Sequence, residues 1–346
     1  MPNRAIWLGE GEQVSIRDIE DSYTPQESEV LVEVLYSGIN PADIKHAVLG
    51  FSNCVAGYDF AGKVIEAGRK RTDHFSPGDL VFGFSAPALN KPQQYGVHQK
   101  YHCAQHFIYH VPPTMPLPAA SCLPVITHTA ADALFNQLAL SFSENSCPIL
   151  IWGASSAVGT AAVQFAKMAG CYPILATASE KNHQALRELG ATECFDYRDP
   201  NIVDNVKEAL KRHSDKPLQH VLDSVVSRGQ PSSTELCEAI ADPGARFTSS
   251  IPATDQATEE WRVAFACRNV DVTLSLPGGV DLTYRAAPEW QANIDRATKW
   301  AIDHYGRGYV MPHVQVVKGG EKGIEAMINV AAGRASMEKF VIEHPI

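Results

Sequence analysis

Two different spacings of apolar residues divide the chain. From about residue 5 to 115 they come in short runs broken by glycine and proline, as in "VLVEVLYSGI" (30–39), "FAGKVIEAG" (60–68) and "GDLVFGF" (78–84). Repeated β-type runs that end in turn residues predict a barrel-type β domain. The stretch "SPGD" (76–79) has the Pro-Gly chemistry of a tight connection, and "HVPPTMPLPAA" (110–120) marks a break. Beyond residue 148 the rhythm becomes strand, helix, strand. The predicted strands are "ILIW" (149–152), "PILATA" (173–178), "CFDY" (194–197), "HVLDSV" (220–225), "RFTSSI" (246–251) and "DVTLSL" (271–276). Helical segments fit at 157–169, 181–189, 202–213 and 231–240. Six short apolar strands alternating with helices predict an α/β fold with a doubly wound parallel sheet. The tail adds a helix (290–304), a strand (313–320), a helix (321–332) and a last strand (339–343). The expected domains are therefore 1–125, 126–284, and a segment 285–346 that returns to complete the first.

The turn after the first strand of the second domain carries the candidate chemistry. In "ILIWGASSAVGTAAVQFAKMAG" (149–170) apolar residues run into Gly153, a polar turn, Gly159 and a small-residue helix. Strand ends in such sheets bind ligands where the strand order reverses, and a helix start there attracts a pyrophosphate. Val158, Ala161, Ala162, Phe165 and Ala169 share one helical face that can press on the sheet. One glycine of the dinucleotide fingerprint is absent. A rival reading takes Ser155 as a nucleophile in a G-x-S-x-G elbow, but Ala157 stands where the last glycine belongs and no glycine-rich oxyanion segment precedes it. A plain tight turn without a ligand is the third reading. At the end of the second strand, "ATASEKN" (176–182) has small and hydroxyl residues where an NAD site places its acid. Ser179 and Lys181 suit a 2′-phosphate, which favours NADPH over NADH, although Glu180 is close by.

Composition narrows the class. With 346 residues the chain is long enough for two cores, and a net charge of −10 disfavours nucleic acid or an anionic membrane as partner. The opening "MPNRAIWLGEG" lacks the apolar core of a signal peptide, so a cytoplasmic location is expected. The eight cysteines are scattered, with none paired at the few-residue spacing of a structural zinc site. His98, His102, His106 and His110 recur every fourth residue, which on a helix would stack imidazoles for a metal. Their β-rich, proline-terminated surroundings predict strands and a turn instead, with the rings pointing different ways, and no metal is expected.

Several stretches together resemble the medium-chain dehydrogenase/reductase superfamily over essentially the whole chain. They are "GINPADIK" (38–45), "GYDFAGKVIEAG" (57–68), "FSPGDLVFG" (75–83), "GASSAVGTAAVQFAK" (153–167), "ELGATECFDYRD" (188–199) and "GRASMEKFVI" (333–342). Within it the chain is most similar to the zinc-independent branch, and there to fungal trans-acting enoyl reductases that serve polyketide synthases. The resemblance implies a GroES-like β domain joined to a Rossmann domain. In zinc alcohol dehydrogenases of this superfamily a cysteine stands at the position of Asn40 or Pro41, and Gly-His-Glu at that of Gly57-Tyr58-Asp59, so both metal ligands are replaced here.

Carried over by position, the resemblance implies that Ala42, Asp43, Ile44 and Lys45 approach the nicotinamide end of the cofactor. Ser155, Ser156, Ala157 and Val158 would meet the pyrophosphate and 2′-phosphate region, joined by Ser179, Glu180, Lys181, Asn182 and Tyr197. Ser250 and Ile251 would flank the nicotinamide, and Ser336 and Met337 would close over the cofactor; relatives often carry glycine at the latter position. Thr129, Ala130, Ala131, Asp132, Ala133, Leu134, Phe135 and Asn136, with Thr273, Leu274, Ser275, Leu276 and Pro277, would line the substrate pocket. The implied reaction passes hydride from NADPH to the β-carbon of an α,β-unsaturated carbonyl, with Lys45 and Thr129 as the candidate catalytic residues. Ordinary alternatives are a surface lysine, a helix N-cap threonine and, for Tyr197, a core aromatic. Three functions remain in play: an enoyl reductase on an acyl-carrier-bound chain with a polyketide synthase partner, a free-standing quinone or enone reductase, and a cofactor-binding protein without catalysis. Monomer and homodimer are both open.

Overall fold

A computed structural model describes residues 3–19, 22–253, 257–276 and 278–346. The chain forms two units, one of residues up to Val125 with Asn269–Ala287 and His313–Ile346, the other of Ile126–Arg268 with Pro288–Pro312. Among the described residues no helix is long and apolar enough to cross a membrane.

The second unit is built on a parallel sheet. Its strands are β1 (Ile149–Trp152), β2 (Ile174–Thr177), β3 (Glu193–Phe195), β4 (His220–Asp223), β5 (Arg246–Ser249) and β6 (Trp261–Val263), in the spatial order β3-β2-β1-β4-β5-β6. All four residues of β1 and of β2 are buried, as expected for strands covered on both faces. The connecting helices are α1 (Ala157–Met168), α2 (His183–Leu189), α3 (Ile202–His213) and α4 (Ser233–Ile240). In α3, Ile202, Val206, Ala209 and Leu210 form one buried stripe, while Asp204 near its start and Lys211, Arg212 and His213 at its end match the helix dipole. A capping box of Ser232 and Glu235 starts α4. Leu150, Leu175, Val206, Val221 and Phe247 meet in the core beneath.

Two boundaries differ from the sequence expectation. The sixth strand is Trp261–Val263, not 271–276, and Val272–Leu276 instead pairs antiparallel with Val280–Tyr284 in the other unit. The physical reason lies in the patterns. Val272 and Leu274 are buried while Thr273 and Ser275 are not, the alternation of a one-sided ribbon rather than of an inner parallel strand. "WRV" looks polar, yet Trp261 packs its ring 5.0 Å from Phe247 and donates through Nε1 to Glu238 at 2.8 Å. The helix Pro288–Asp303, with its buried stripe of Ile294, Ala297 and Ala301, also belongs to the parallel-sheet unit, so the chain returns to the first unit twice, at Asn269–Ala287 and at His313–Ile346.

The first unit is largely antiparallel. Strands His313–Lys318, Glu338–Glu343, Val30–Gly38, Asp59–Ala67, Leu80–Phe84 and Ile108–His110 follow one another in a sheet, and Tyr101–Ala104 also pairs with Val30–Gly38. Bulges at Leu31/Val32 and Val34/Tyr36 curl it, as barrel-type domains require. A smaller sheet joins Val14–Ile19, Asn3–Leu8 and Cys54–Val55.

Candidate functional site

In the parallel-sheet unit the strand order turns back between β1 and β4, which is where such sheets bind dinucleotides. β1 ends at Trp152, and Ser156 caps α1 by accepting from the Gly159 amide at 2.9 Å. The amides of Ala157 and Val158 carry no hydrogen bond among the described residues and stand in the first turn of a twelve-residue helix. Gly159 makes the close approach possible, since a Cβ there would lie 2.6 Å from the Gly153 carbonyl. Ser224, at the end of β4, locks the turn: its hydroxyl donates to the Trp152 and Gly153 carbonyls at 2.8 and 2.9 Å and accepts from Ser156 at 2.9 Å. Thr177 ties in β2 by accepting from the Gly153 amide at 3.0 Å. Unpaired amides at a helix start are the donors that a pyrophosphate takes. Sequence reasoning missed Ser224, although a small hydroxyl residue closing the strand beside a glycine turn was a usable signal.

The other predicted contacts of this unit gather at the same sheet end. Ser179 opens a single turn, Glu180–Asn182, in which Glu180 and Lys181 are exposed and Asn182 is buried. The Lys181 ammonium has no hydrogen bond or ion pair among the described residues. Tyr197 follows β3, 46% exposed, with the Arg198 guanidinium 5.6 Å over its ring, so it is no core aromatic. Arg198 itself is held by Asp196 through two hydrogen bonds. Ser250 donates to the Ser224 carbonyl at 2.9 Å, and Ile251 beside it is exposed.

The stretch from 129 to 136 is buried. Thr129 lies inside the helix Leu123–Ala131, well past any cap, and is 8% exposed. Ala130, Ala131, Asp132, Ala133 and Leu134 have no exposure at all. Here the helix widens into a π-helical stretch, Asp132–Gln137. The Asp132 carboxylate receives Arg268 Nε at 2.9 Å and Nη2 at 2.6 Å, the Phe265 amide at 2.9 Å, Asn136 at 2.8 Å and Gln137 at 3.2 Å. Phe135 stacks on Phe142 at 4.1 Å, and Asn136 also bonds Trp290 and Asn293. These side chains, Thr129 apart, are committed to their own core; a buried carboxylate needs an opposite charge and saturating donors, and Arg268 supplies them.

In the first unit, Ala42, Asp43, Ile44 and Lys45 form one short helix, of which Asp43 and Ile44 are buried and Lys45 is exposed. The Lys45 ammonium has no ion pair or hydrogen bond among the described residues. Beside it runs a buried polar network that the sequence did not reveal. Asn40 donates to Asp59 at 2.8 Å and accepts from the Lys339 ammonium at 2.8 Å; Lys339 also bonds the Ile39 carbonyl at 2.9 Å. Burial pushes the Asp59 carboxyl up to about 7, against the pull of Lys339 and the Asn40 amide. Asp43 accepts from the Asn40 amide at 2.7 Å and meets His98 at 3.3 Å; His98 bonds Ser37 at 2.8 Å, and Ser37 bonds His344 at 2.7 Å. Gly57, at φ +94°, leaves room for that imidazole, which a Cβ would touch at 2.7 Å. Tyr58 bonds His46 at 2.9 Å, whose imidazole burial holds down near 4.

Thr273, Leu274, Ser275 and Leu276 lie on the ribbon strand, with Ser275 packed against Gly50, just beyond the helix of Lys45; Pro277 lies outside the described residues. Ser336 and Met337 precede the last strand, and Met337 adopts φ +56°, a left-handed conformation that glycine takes more readily. Of the four histidines, His98 bonds Ser37, His102 lies 4.8 Å from the Phe60 ring, and His110 stacks on Phe75 and meets the His74 carbonyl. Their side chains meet different partners, His102 and His110 from strands and His98 from a loop.

Residues 26–112 match the alcohol dehydrogenase GroES-like domain, and residues 157–250 the zinc-binding dehydrogenase family. The chain is 29% identical over 325 residues to the trans-enoyl reductase himH of Aspergillus japonicus, covering 91% of this chain and 89% of that one. It is 30% identical over 264 residues to the trans-enoyl reductase tazE of Aspergillus terreus, covering 71% and 86%. The solved structure of the CurK enoyl reductase superposes with a TM-score of 0.73 at 20% identity, and an alcohol dehydrogenase superfamily protein from Novosphingobium aromaticivorans with 0.76 at 20%, both over the full length of each chain. At that identity the structures speak for the fold alone. With the two-unit fold, the strand order of a dinucleotide-binding sheet and relatives matched along most of their length, the chain belongs to the medium-chain dehydrogenase/reductase superfamily of nicotinamide-dependent oxidoreductases.

Proposed function

We propose that the protein reduces the carbon–carbon double bond of an α,β-unsaturated thioester carried by a polyketide synthase, using NADPH. The observation that carries this reading is the amide cradle of Ala157 and Val158 at the switch point, in a chain whose most similar relatives include trans-enoyl reductases. Bound there, NADPH supplies hydride to the β-carbon of the substrate. The cradle's amides and the dipole of α1 hold the pyrophosphate, and the Ser179 hydroxyl and Lys181 ammonium receive the 2′-phosphate. Ala178 and Ser179 follow β2 where an NAD site places its acid, with Glu180 the nearest carboxylate, which favours NADPH over NADH.

As the double bond is reduced, charge builds on the thioester oxygen, and a donor aimed at it lowers the barrier. Lys45 Nζ and Thr129 Oγ1 fill that role and orient the cofactor ribose and the thioester; the α-proton comes from Lys45 or from water. At the positions where zinc alcohol dehydrogenases keep metal ligands, Asn40 is bonded to Asp59 and Lys339, and Tyr58 to His46. An amide and a phenol thus stand where the family's zinc takes a thiolate and an imidazole, which supports conjugate reduction rather than alcohol oxidation.

The test follows oxidation of NADPH and NADH with a model enoyl thioester. Turnover that prefers NADPH, with Lys45→Ala and Thr129→Val each slower by roughly 10²-fold, supports the reading. Full rates in both variants sink the residue assignment, and binding without turnover leaves a cofactor-binding protein. Equal rates with small enones and with a carrier-bound chain in the presence of the synthase would favour a free-standing reductase.

A further inference from the structure

The amino-terminal end of the parallel sheet, opposite the glycine turn, holds two thiols side by side. The segments leading into β1 and β2 run together: Ser146 donates to the Gly170 carbonyl and Tyr172 to the Cys147 carbonyl, each at 3.0 Å, and Ile149 and Ile174 are paired residues of the two strands. Cys147 and Cys171 are therefore neighbours on adjacent parallel segments. Neighbouring strands lie about 4.8 Å apart, within the Cα separation of about 4.4–6.8 Å that a disulfide spans. The Cys147 side chain lies beside those of Cys171 and of His220, at the start of β4. His220 Nδ1 is buried without a partner among the described residues.

Accessibility separates this pair from the other cysteines. Cys147 is partly exposed, whereas Cys54, Cys103, Cys122, Cys171, Cys194, Cys237 and Cys267 are all buried. The adjacent Cys171 side chain first, then His220, draws the Cys147 thiol below its ordinary range, while the Cys147 side chain first, then burial, pushes Cys171 up. A partly exposed thiol beside a buried second thiol is the arrangement of an attacking and a resolving cysteine.

We propose that Cys147 and Cys171 form a peroxide-reactive dithiol that closes to a disulfide. The Cys147 thiolate attacks hydrogen peroxide, the O–O bond breaks, and hydroxide leaves and is protonated to water, giving a sulfenic acid. Cys171 then attacks the Cys147 sulfur, the S–O bond breaks, and its departing hydroxide takes the Cys171 proton. The two thiols lose two electrons and two protons, and one peroxide becomes two waters.

The test treats the reduced full-length protein with stoichiometric hydrogen peroxide and maps its cysteines by mass spectrometry without reduction. The expected result is a peptide pair crosslinked through Cys147 and Cys171, and an intact mass lower by roughly 2 Da for the two hydrogens lost. Cys171→Ser is expected to stop at a sulfenic acid on Cys147 that dimedone captures, and Cys147→Ser to yield neither product. At pH 6 iodoacetamide should label Cys147 in the wild type at least roughly tenfold faster than any cysteine of Cys147→Ser. Both thiols remaining free after peroxide, or a crosslink through other cysteines, overturns the proposal. Should Cys171→Ser fail to fold, the wild-type map and the labelling comparison with Cys147→Ser still decide it.

Discussion

Replacing Arg268 with methionine tests whether Asp132 is a structural carboxylate or a substrate contact. The guanidinium holds Asp132 through two hydrogen bonds, at 2.9 and 2.6 Å, with the Asp132 side chain at 0% and that of Arg268 at 8% exposure. It also lies 5.0 Å over the Phe265 ring and 4.9 Å over that of Trp290. Screening by solvent is negligible at such burial. Arg268→Met leaves Asp132 with only the neutral donors Asn136, Gln137 and the Phe265 amide, an uncompensated buried charge. Removing one partner of a buried pair costs about 3–5 kcal/mol, whereas replacing both with apolar groups of similar volume is often near neutral. Arg268→Met and Asp132→Leu are therefore each expected to lose about 3–5 kcal/mol, and the double variant less than their sum, a coupling of about 3 kcal/mol. Urea unfolding followed by tryptophan fluorescence reads this, because Trp152, Trp261, Trp290 and Trp300 all lie in the same unit as the pair. A loss below about 1 kcal/mol in Arg268→Met, the size of a surface pair, would refute the reasoning. So would an Asp132→Asn protein of unchanged stability whose only defect is a raised KM for the enone.

Asp59 makes stability depend on pH: its carboxyl titrates near 7 when folded, against an ordinary value of 3.8. The folded protein keeps this proton longer than the unfolded chain, so the contribution is complete below about pH 4 and is lost as pH rises to about 7, by up to about 4 kcal/mol. Urea midpoints measured from pH 4.5 to 7.5 should fall more steeply in the wild type than in Asp59→Asn, and parallel slopes would contradict the assignment. Gly159→Ala puts a Cβ 2.6 Å from the Gly153 carbonyl and 2.7 Å from Ala154 Cα, so it must part the helix from the strand. NADPH affinity, followed by fluorescence titration, should drop at least roughly tenfold, the effect of about 1.4 kcal/mol; unchanged affinity would mean that the turn does not hold the cofactor. Met337→Gly removes the left-handed strain of a residue at φ +56° and should raise stability by up to about 1 kcal/mol, whereas a loss in thermal or urea unfolding would show that the methionine side chain matters more.

The local patterns were sufficient for the parallel sheet and its helices. Apolar strands such as "ILIW", the stripe on α3 and the small-residue face of α1 are period-driven signals, and each residue carries its own part of them. The strand–turn–helix at Gly153 was equally readable, because its geometry depends on neighbours within a few positions. Tertiary packing decided the rest. Whether "DVTLSL" or "WRV" becomes the sixth strand depends on which partner offers a free edge, and the shorter, more polar run won through Trp261 on Phe247 and Glu238. Asp132 could not be separated from a substrate contact until Arg268, far along the chain, was seen to neutralise it. The Asn40–Asp59–Lys339 network and the thiol pair of Cys147 and Cys171 likewise join residues distant in sequence. Burying a polar group requires a specific partner, and a linear pattern of apolar and polar positions records the demand without naming who meets it.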